Sequence, residues 1–456
     1  MQTEKKYAFR NVFSIILALI CTGSFFVVWQ LFVKVNNQTG HLTGHGNYAM
    51  SVGIYFVVYV LFMRWLGANR IGVERISNLL AAQVITIFMV DFCEVFLSMA
   101  ITGEFRFAWE FIWRYFLLAI IQSVVTCVLL YYIIALYRKT FPPIHILEIY
   151  GEHENYLAKK IAGRCDKYKI TESVSIDSPN LKEYIDGAEA ILINDVPSAK
   201  KNKVLKYCYE IDKRVYFTPK ISDIITRSSD DLNLFDTPLL LCKNQGLKRA
   251  QRFSKRTEDL IFSILGFILL SPFLLITAIA IKIEDGGPIF YKQERCTINN
   301  KRFWIVKFRS MRVDAEQDGK PYPAGEKDCR VTKVGKIIRQ IHFDEIPQLY
   351  NVFKGEMSIV GPRPERIEHV KKYTKEIPEF ELRSKVKGGL TGYAQVYGKY
   401  NTSALDKLKM DLMYITNYSV KLDIQILFET VKILLQKERT EGFSEEKRKE
   451  MHGGID

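Results

Sequence analysis

Four long apolar runs in the first 140 residues constrain the fold of this chain more than any other feature of its sequence. They cover Phe13–Val33, Tyr48–Leu66, Asn78–Ile101 and Trp113–Tyr137. Each run is long enough to cross a bilayer as a helix, because about 20 apolar residues span the hydrocarbon core. The sequence therefore predicts a transmembrane α-helical bundle of four spans over residues 1–140.

Lysine and arginine flank these four runs unevenly. Basic residues precede the first run, lie between the second and third at Arg70 and Arg75, and follow the fourth, whereas the loop Asn36–Asn47 has none. Cytoplasmic loops of membrane proteins carry an excess of lysine and arginine. Both ends of the bundle are therefore expected in the cytoplasm, and so is the chain that follows Thr140.

Two carboxylates, Asp91 and Glu94, lie three residues apart within the third run, on one face of the predicted helix. Ionisable residues inside a membrane segment usually have a function or a close partner, because a charge in lipid is unfavourable. Arg114 of the fourth run could neutralise one of them. We interpret the pair as part of the packing of the bundle.

The net charge of the chain indicates which class of binding partner is expected. The formal net charge of +14 suits an anionic partner. The sequence has no zinc-knuckle, helix-turn-helix or RNP-like pattern, so membrane lipid and phosphorylated substrates are favoured over nucleic acid. The eight cysteines contain no C-x-x-C pair, so neither a zinc site nor a disulfide framework is expected.

Beyond the membrane region, short β-rich runs alternate with polar helical stretches. The β-rich runs are His145–Gly151, Thr171–Ile176, Ala190–Asp195 and Arg214–Pro219. This alternation is typical of a doubly wound α/β fold, so residues 141–243 are predicted to form a cytoplasmic Rossmann-like domain. The chain reads Tyr150-Gly151-Glu152-His153-Glu154 where a dinucleotide site needs further glycines, so the fold is expected without that cofactor.

A second apolar stretch, Leu260–Ile283, is long enough to be a fifth membrane helix. Basic residues flank both ends, which predicts that both ends lie on the cytoplasmic side. Ser271 and Pro272 lie near the middle, where proline interrupts the helical hydrogen bonds and serine can satisfy a freed backbone group. A re-entrant helix that bends at Pro272 and returns to the same leaflet accounts for these features. A kinked spanning helix is the alternative.

After Gly286 the chain becomes polar and rich in groups that bind phosphate. These groups are Lys307-Phe308-Arg309, Arg339, Asp344-Glu345 and Gly361-Pro362-Arg363-Pro364. Each is a weak signal alone, because a single basic residue is usually solvated and an Asp-Glu pair is most often the acidic first turn of a helix. By local pattern alone, Asp344 is an ordinary acid at a helix start.

The string HFDEIPQLYNVFKGEMSIVGPRP, from His342 to Pro364, closely resembles bacterial polyprenyl-phosphate sugar phosphotransferases, which are monotopic phosphoglycosyl transferases. The resemblance extends over the segment from about 250 to 436 and includes Lys255-Arg256, Ser271-Pro272, Gln293 with Arg295, Lys387–Gly392 and Asp411. It implies a mainly α-helical catalytic domain over 244–436 with a re-entrant helix at 260–283, followed by a polar tail at 437–456. The preceding spans and α/β domain resemble long-chain members, which initiate capsule or exopolysaccharide synthesis.

The resemblance implies a two-step transfer of a sugar 1-phosphate from a UDP-sugar to undecaprenyl phosphate. Asp344 is implied to be the nucleophile, forming a covalent phosphosugar-aspartyl intermediate and releasing UMP. A carboxylate suits this role because it is ionised at neutral pH without help from a base. Mg²⁺ is implied beside Asp344 and Glu345, since it prefers carboxylate and phosphate oxygens. Glu345 points about 100° away around an α-helix, and is either a second metal ligand or an orienting group.

The phosphate-binding set implied by the family consists of Lys307, Arg339, Arg363 and, with a weaker match, Arg309. Pro362 and Pro364 are expected to hold the Arg363 backbone in an extended turn. The catalytic domain is expected on the cytoplasmic face of the bacterial inner membrane, where nucleotide sugars are available. The bundle and the α/β domain offer surfaces for a homodimer. A nucleotide-sensing membrane scaffold for polysaccharide assembly is the alternative function.

Apolar residues recur at helical spacing after Ala404, for example at Leu408 and Leu412 and again at Ile424 and Leu427. This region is predicted to be helical. Its apolar side either faces the core of the domain or lies in the plane of the lipid headgroups.

Overall fold

The computed structural model describes residues 2–35, 45–102, 108–151, 157–234, 236–242, 246–313, 330–398 and 402–434. The chain forms two compact units, residues 1–218 and 219–456. The predicted polar tail at 437–456 lies outside the described residues.

The first unit begins with a bundle of four long helices. They are α1, Gln2–Val28, continued by a π-helical turn at Trp29–Val33; α2, His45–Leu66; α3, Ile76–Thr102; and α4, Ala108–Thr140. Each contains one of the predicted apolar runs and is long and apolar enough to cross a membrane. Aromatic rings pack in the interior, where the centroids of Phe25 and Tyr55 are 4.2 Å apart.

The bundle interior also contains buried polar side chains. The Tyr55 hydroxyl donates a hydrogen bond to the Asp91 carboxylate at 2.9 Å. Arg114, however, pairs with Glu110 at 3.0 Å, and its guanidinium lies 3.4 Å from the centroid of the Phe32 ring. The predicted pairing of Arg114 with a carboxylate of the third helix is therefore wrong, because Glu110 lies one turn away on the same helix and takes the guanidinium.

A parallel four-stranded sheet follows the bundle in the first unit. Its strands are β1, Ile144–Tyr150; β2, Tyr168–Ser175; β3, Ala190–Asn194; and β4, Arg214–Phe217, in the order β2-β1-β3-β4. The helices between the strands are α5, Leu157–Ala162; α6, Leu181–Gly187; and α7, Ser198–Glu210. Alternate residues of β1 pack on opposite faces, with Ile149 in one apolar cluster and Ile146 in another. This is the doubly wound arrangement predicted from the sequence.

The second unit is rich in helices with small sheets between them. Among the described residues, its strand pairs are β5, Asp230–Leu234, with β6, Thr237–Leu241; β7, Phe290–Cys296, with β8, Arg302–Phe308; and β9, Ser358–Val360, with β10, Gly389–Thr391. Its α-helices are α8, Ile221–Arg227; α9, Arg249–Asp285; α10, Lys333–Gln340; α11, Leu349–Lys354; α12, Ile367–Glu376; α13, Tyr393–Tyr397; α14, Ala404–Thr416; and α15, Val420–Leu434. Short 3₁₀ helices occur at Ile298–Asn300, Phe343–Gln348 and Pro378–Lys385.

The two units divide at Thr218, before the domain boundary that the sequence suggested at 243. Helix α8 packs Ile224 against Phe380 and Leu408 of the second unit. Strands β5 and β6 pair with each other in antiparallel register and form a hairpin. Helix α14 buries Leu408 and Leu412 in the core of the second unit, as one of its two predicted orientations requires; in α15 Ile426 is buried, whereas Val431 and Leu434 are exposed.

Helix α9 is one uninterrupted α-helix with Pro272 inside it. Pro272 has no N–H to donate to the carbonyl of Ile268, one turn earlier. The hydroxyl of Ser271 donates to that carbonyl instead, at 2.9 Å. This contact is the one that the sequence predicts for a serine beside a proline in a helix.

Side chains toward both ends of α9 bind other elements of the second unit. Near the N-terminal end, the Asp259 carboxylate accepts hydrogen bonds from the Ser358 hydroxyl at 2.7 Å and the Ile359 amide at 2.8 Å. At the C-terminal end, Asp285 pairs with Arg309. Apolar side chains between these points, such as Leu269, are largely exposed, which suits contact with lipid. The re-entrant path of this helix remains a prediction.

Candidate active site

Asp344 and Glu345 lie in the first turn of a 3₁₀ helix, Phe343–Gln348, and not of an α-helix. His342 precedes this helix in a left-handed conformation, with φ of 55°, which turns the chain sharply after α10. Successive side chains of a 3₁₀ helix diverge by about 120°, compared with about 100° in an α-helix. The two carboxylates therefore point in different directions and have different surroundings.

Glu345 is the centre of a charged cluster. Its carboxylate accepts a hydrogen bond from the Lys307 ammonium at 2.6 Å, and it accepts two from the Arg363 guanidinium at 2.7 and 3.3 Å. Burial acts to raise the pKa of Glu345, but the charges of Arg363 and Lys307 outweigh it and hold the pKa well below its usual range. Glu345 is therefore an ionised counter-ion shared by two cations from different parts of the chain.

Asp344 is half-buried and has no such partner. Within the described part of the chain, its side chain makes no hydrogen bond or ion pair. Burial raises the pKa of Asp344, and repulsion from Glu345 adds to this, whereas Lys307, Arg339 and His342 partly oppose it. Asp344 thus offers an uncommitted carboxylate beside several positive charges.

Arg339 lies in the last turn of α10 and adds to the positive potential around Asp344. The helix begins after Thr332, whose hydroxyl accepts a hydrogen bond from the Gly335 amide at 2.9 Å. A Cβ atom on Gly335 would lie 2.0 Å from the carbonyl oxygen of Ser310, so glycine permits the close approach of this helix. Close packing against Ser310 thus positions the helix that carries Arg339, whose charge acts to lower the pKa of Asp344.

Arg363 reaches the cluster from a loop that follows β9. The amide of Gly361 donates to the carbonyl of Thr391 at 2.8 Å, which ties the start of this loop to β10. The side chain of Arg363 is 45% exposed, and the charge of Glu345 raises its pKa above the usual range. A side chain with this exposure can exchange part of its contact with Glu345 for an incoming phosphate.

Arg309, also predicted to bind phosphate, is occupied elsewhere. It is 7% exposed, its guanidinium pairs with the Asp285 carboxylate, and its Nε donates to the Pro288 carbonyl at 2.6 Å. A Cβ atom on Gly287 would lie within 3 Å of the guanidinium. The phosphate-binding role of Arg309 remains a prediction, and these contacts indicate that it fastens the end of α9 to β8.

We expect Arg309→Met to destabilise the second unit by about 1–3 kcal/mol, because it leaves Asp285 without its charged donor. The thermal unfolding temperature of the purified protein in detergent measures this change. Arg312→Met, which changes an exposed arginine three residues along the chain, is the matched control and should leave the temperature nearly unchanged. An Arg309→Met variant as stable as wild type would contradict the inference that Arg309 anchors the end of α9 to β8.

The predicted Mg²⁺ site fits Asp344 better than Glu345. Mg²⁺ usually binds one or two protein carboxylates when substrate phosphates supply further oxygens. Among the described residues, no group of three or more His, Cys, Asp or Glu side chains could hold a metal by itself. Asp344 fits as the single protein ligand of such a site, whereas the Glu345 oxygens already accept hydrogen bonds from Lys307 and Arg363.

The structure adds a buried ion pair that sequence reasoning did not assign to the site. Arg383, 20 residues beyond Arg363, donates to the Arg363 carbonyl at 2.9 Å and pairs with Asp411. The sequence marks Asp411 only through its match to the family, and it does not mark Arg383. No local pattern marks them, because their relation to Arg363 arises only from the packing of distant segments.

Comparison with known protein sequences identifies relatives of this chain. Residues 250–437 match the family model described as "Bacterial sugar transferase". The chain is 33% identical over 319 residues to a UDP-N-acetylgalactosamine-undecaprenyl-phosphate N-acetylgalactosaminephosphotransferase of Aeromonas hydrophila, covering 69% of this chain and 72% of that protein.

Two further relatives match shorter parts of the chain. A UDP-glucose:undecaprenyl-phosphate glucose-1-phosphate transferase of Klebsiella pneumoniae is 43% identical over 203 residues, covering 43% of this chain and 42% of the relative. A protein of the same description from Escherichia coli K12 is 35% identical over 272 residues, covering 55% of this chain and 57% of the relative. The chain thus spans about half the length of these two relatives.

Proposed function

This chain belongs to the bacterial sugar transferase family, and from that membership we propose that it transfers a sugar 1-phosphate from a UDP-sugar to undecaprenyl phosphate. The observation that supports this activity most directly is the cluster in which Glu345 binds Lys307 and Arg363 beside the uncommitted carboxylate of Asp344. The named relatives act on UDP-sugars and undecaprenyl phosphate. Positive charges around the carboxylate would favour its attack on a diphosphate, because they offset the repulsion between the two anions.

The proposed reaction has two steps at one phosphorus atom. In the first step, an Asp344 oxygen attacks the phosphorus that carries the sugar, and the bridging P–O bond breaks so that UMP leaves with the electron pair. In the second step, a phosphate oxygen of undecaprenyl phosphate attacks the same phosphorus and displaces the Asp344 carboxylate. A covalent intermediate lets a soluble donor and a lipid acceptor use one site in turn.

The charged side chains have separate tasks in this proposal. Arg363 and Arg339 bind phosphate oxygens, since a planar guanidinium can contact two oxygens at once, while Lys307 offers a compact positive charge. Glu345 holds Lys307 and Arg363 in position before substrate arrives. Mg²⁺, bound by Asp344 and the substrate phosphates, would supply further positive charge against the repulsion between the reacting anions.

The membrane arrangement supports a site at the cytoplasmic surface of the inner membrane. Both ends of Leu260–Ile283 carry basic residues, and residues near both ends of α9 contact the same unit of the protein. A re-entrant helix would keep the catalytic residues on the side where UDP-sugars are made. We propose that the transfer is the first membrane step in the synthesis of a capsule or exopolysaccharide.

Release of UMP without an acceptor tests the proposed function. Purified full-length protein with Mg²⁺ should give a burst of about one UMP per active site from the correct UDP-sugar, and its mass should increase by one sugar phosphate. Added undecaprenyl phosphate should convert the burst to steady turnover. Failure to release UMP from any of a broad set of UDP-sugars, with acceptor present, would overturn the proposal.

The pH dependence of the reaction follows from the pKa of Asp344. Burial and the charge of Glu345 raise this pKa, so the inactive protonated form persists to a higher pH than for an ordinary aspartate, whose pKa is about 3.9. We expect kcat/KM to fall as the pH decreases through the raised pKa. In Glu345→Gln the repulsion is absent, and the acid limb should move to lower pH. An acid limb that stays in place would contradict the proposed influence of Glu345.

A further inference from the structure

The backbone of the loop that carries Arg363 is held at consecutive positions. Four successive carbonyl oxygens each accept a hydrogen bond from a separate donor: Pro362 from the Gly389 amide at 2.9 Å, Arg363 from the Arg383 guanidinium at 2.9 Å, Pro364 from the Arg295 guanidinium at 3.3 Å, and Glu365 from the Cys296 amide at 3.1 Å. Two of these donors are backbone amides, and the other two are arginine side chains. The position of this loop is therefore determined partly by charged side chains from distant segments.

Arg383 is the more buried of the two arginines; its shortest ion pair is with Asp411, and it makes a longer one with Glu365 at 3.8 Å. Its side chain, in the 3₁₀ helix Pro378–Lys385, binds the Asp411 carboxylate of α14 through Nε at 2.9 Å and Nη2 at 2.8 Å. Asp411 is 1% exposed. Its second oxygen, Oδ1, has no hydrogen-bond partner among the described residues.

A buried ion pair of this kind is not needed for packing alone. Removing two charges from water is unfavourable, and apolar residues of similar size often replace such pairs without loss of stability. What apolar residues cannot supply is the hydrogen bond from Arg383 to the carbonyl of Arg363. Asp411 orients the guanidinium so that one of its N–H groups points at that carbonyl.

The carbonyl of Arg363 matters because it belongs to the residue whose side chain binds Glu345. The contacts between the Arg363 guanidinium and the Glu345 carboxylate, at 2.7 and 3.3 Å, require a defined backbone position. Displacing a binding group by about 1 Å can lower a rate by about 10²-fold. The link from Asp411 through Arg383 to Arg363 therefore connects a buried pair to the charged cluster.

We propose that Arg383, oriented by Asp411, is a positioning residue that sets the backbone of Arg363 for phosphate binding. This inference rests on the proposed function and adds a supporting pair to the site. Lysine cannot replace arginine fully, because a single ammonium lacks the planar fork that serves a carboxylate and a carbonyl together. Arg295 makes a longer contact with the neighbouring carbonyl of Pro364, and we expect a smaller contribution from it.

A double-mutant cycle tests whether Arg383 acts through Arg363. Kinetics of UMP release are measured for full-length wild type, Arg383→Met, Arg363→Met and the double variant. Arg383→Met should lower kcat/KM by about 10- to 100-fold and Arg363→Met by more. The double variant should be within about threefold of Arg363→Met alone, because the link has no further effect once Arg363 is absent. Arg383→Lys and Asp411→Asn should each give a smaller loss than Arg383→Met.

Two results of the kinetic cycle would overturn the positioning role. One is an Arg383→Met variant with unchanged kcat/KM, and the other is a double variant whose loss equals the product of the two single losses. Ile426→Ala is the control for destabilisation, since it removes buried side-chain volume from the core of the same unit. It should lower the unfolding temperature while leaving kcat/KM within about twofold. If Arg383→Met does not fold, Arg383→Lys and Asp411→Asn replace it in the double-mutant cycle with Arg363→Met.

Binding of inorganic pyrophosphate, measured by calorimetry on the same variants, separates this inference from the proposed reaction. The cycle in pyrophosphate affinity should show the same non-additivity even without turnover. A wild-type protein that binds pyrophosphate but releases no UMP would overturn the proposed function. The double-mutant cycle in pyrophosphate affinity would then still test the positioning role of Arg383. Additive losses of pyrophosphate affinity, or a wild type without affinity for pyrophosphate, would overturn the positioning role.

Discussion

Replacement of Asp344 by asparagine is expected to lower kcat for UMP release by about 10⁴-fold or more, because asparagine keeps the shape of the side chain and lacks the nucleophilic carboxylate. Asp344 makes no side-chain hydrogen bond within the described part of the chain, so the substitution should leave the surrounding structure and its unfolding temperature nearly unchanged. Quenched-flow measurement of the first turnover is the direct test. Mass spectrometry of the quenched protein should find the sugar-phosphate increment in wild type and not in Asp344→Asn.

Two control variants test whether the loss of activity is specific to the carboxylate of Asp344. Glu381→Gln removes an exposed carboxylate from the same unit and should retain wild-type kcat within about twofold, which shows that loss of one negative charge is not the cause. Asp344→Glu keeps the carboxylate but displaces it by one methylene, and should retain a small fraction of the activity. An Asp344→Asn variant that still gives a full burst of UMP would show that another group performs the first step.

Replacement of Glu345 by glutamine is expected to lower kcat by about 10²-fold, for a different reason. Glutamine removes the shared counter-ion, so Lys307 and Arg363 repel each other and leave the positions in which they meet the substrate. The affinity for UMP should not fall, because the two cations are then free to bind phosphate. A decrease in kcat without loss of UMP affinity is therefore the result that the counter-ion role predicts.

The Mg²⁺ dependence of Glu345→Gln distinguishes the counter-ion from a metal ligand. The Mg²⁺ concentration for half-maximal activity should remain within about twofold of the wild-type value if Glu345 only holds the two cations. If Glu345 were a metal ligand, that concentration would rise by about tenfold or more, and excess Mg²⁺ would restore kcat. Lys307→Met, which removes one of the two cations, should lower kcat and also weaken UMP binding, and this loss of affinity distinguishes it from Glu345→Gln.

The large features of the molecule could be predicted from the sequence because each depends on local composition. Apolar runs of about 20 residues predict membrane helices wherever they occur, since the backbone must satisfy its own hydrogen bonds in lipid. Alternating strand and helix patterns predicted the parallel sheet that contains Ile149. The serine beside Pro272 was predicted to satisfy a freed carbonyl, and it contacts Ile268 in this way because the partners are three residues apart.

The candidate site was predictable as a set of residues but not as an arrangement. The long motif from His342 to Pro364 singled out Asp344, Glu345 and Arg363 through family resemblance. It did not separate their tasks, and an α-helix was assumed where the chain forms a 3₁₀ helix. The family resemblance also places Arg309 in the phosphate-binding set, by a weaker match, whereas in the structure Arg309 pairs with Asp285.

By itself, then, the sequence determined where the long apolar helices and the α/β sheet lie and which motif contains Asp344, the proposed nucleophile. Only the tertiary structure decided that Glu345 is shared by Lys307, 38 residues earlier, and Arg363, 18 residues later, while Asp344 stays uncommitted. It alone brought Arg383 to the carbonyl of Arg363. The physical reason is that charge pairing depends on distance in space, and this distance is set by the packing of segments far apart in the chain.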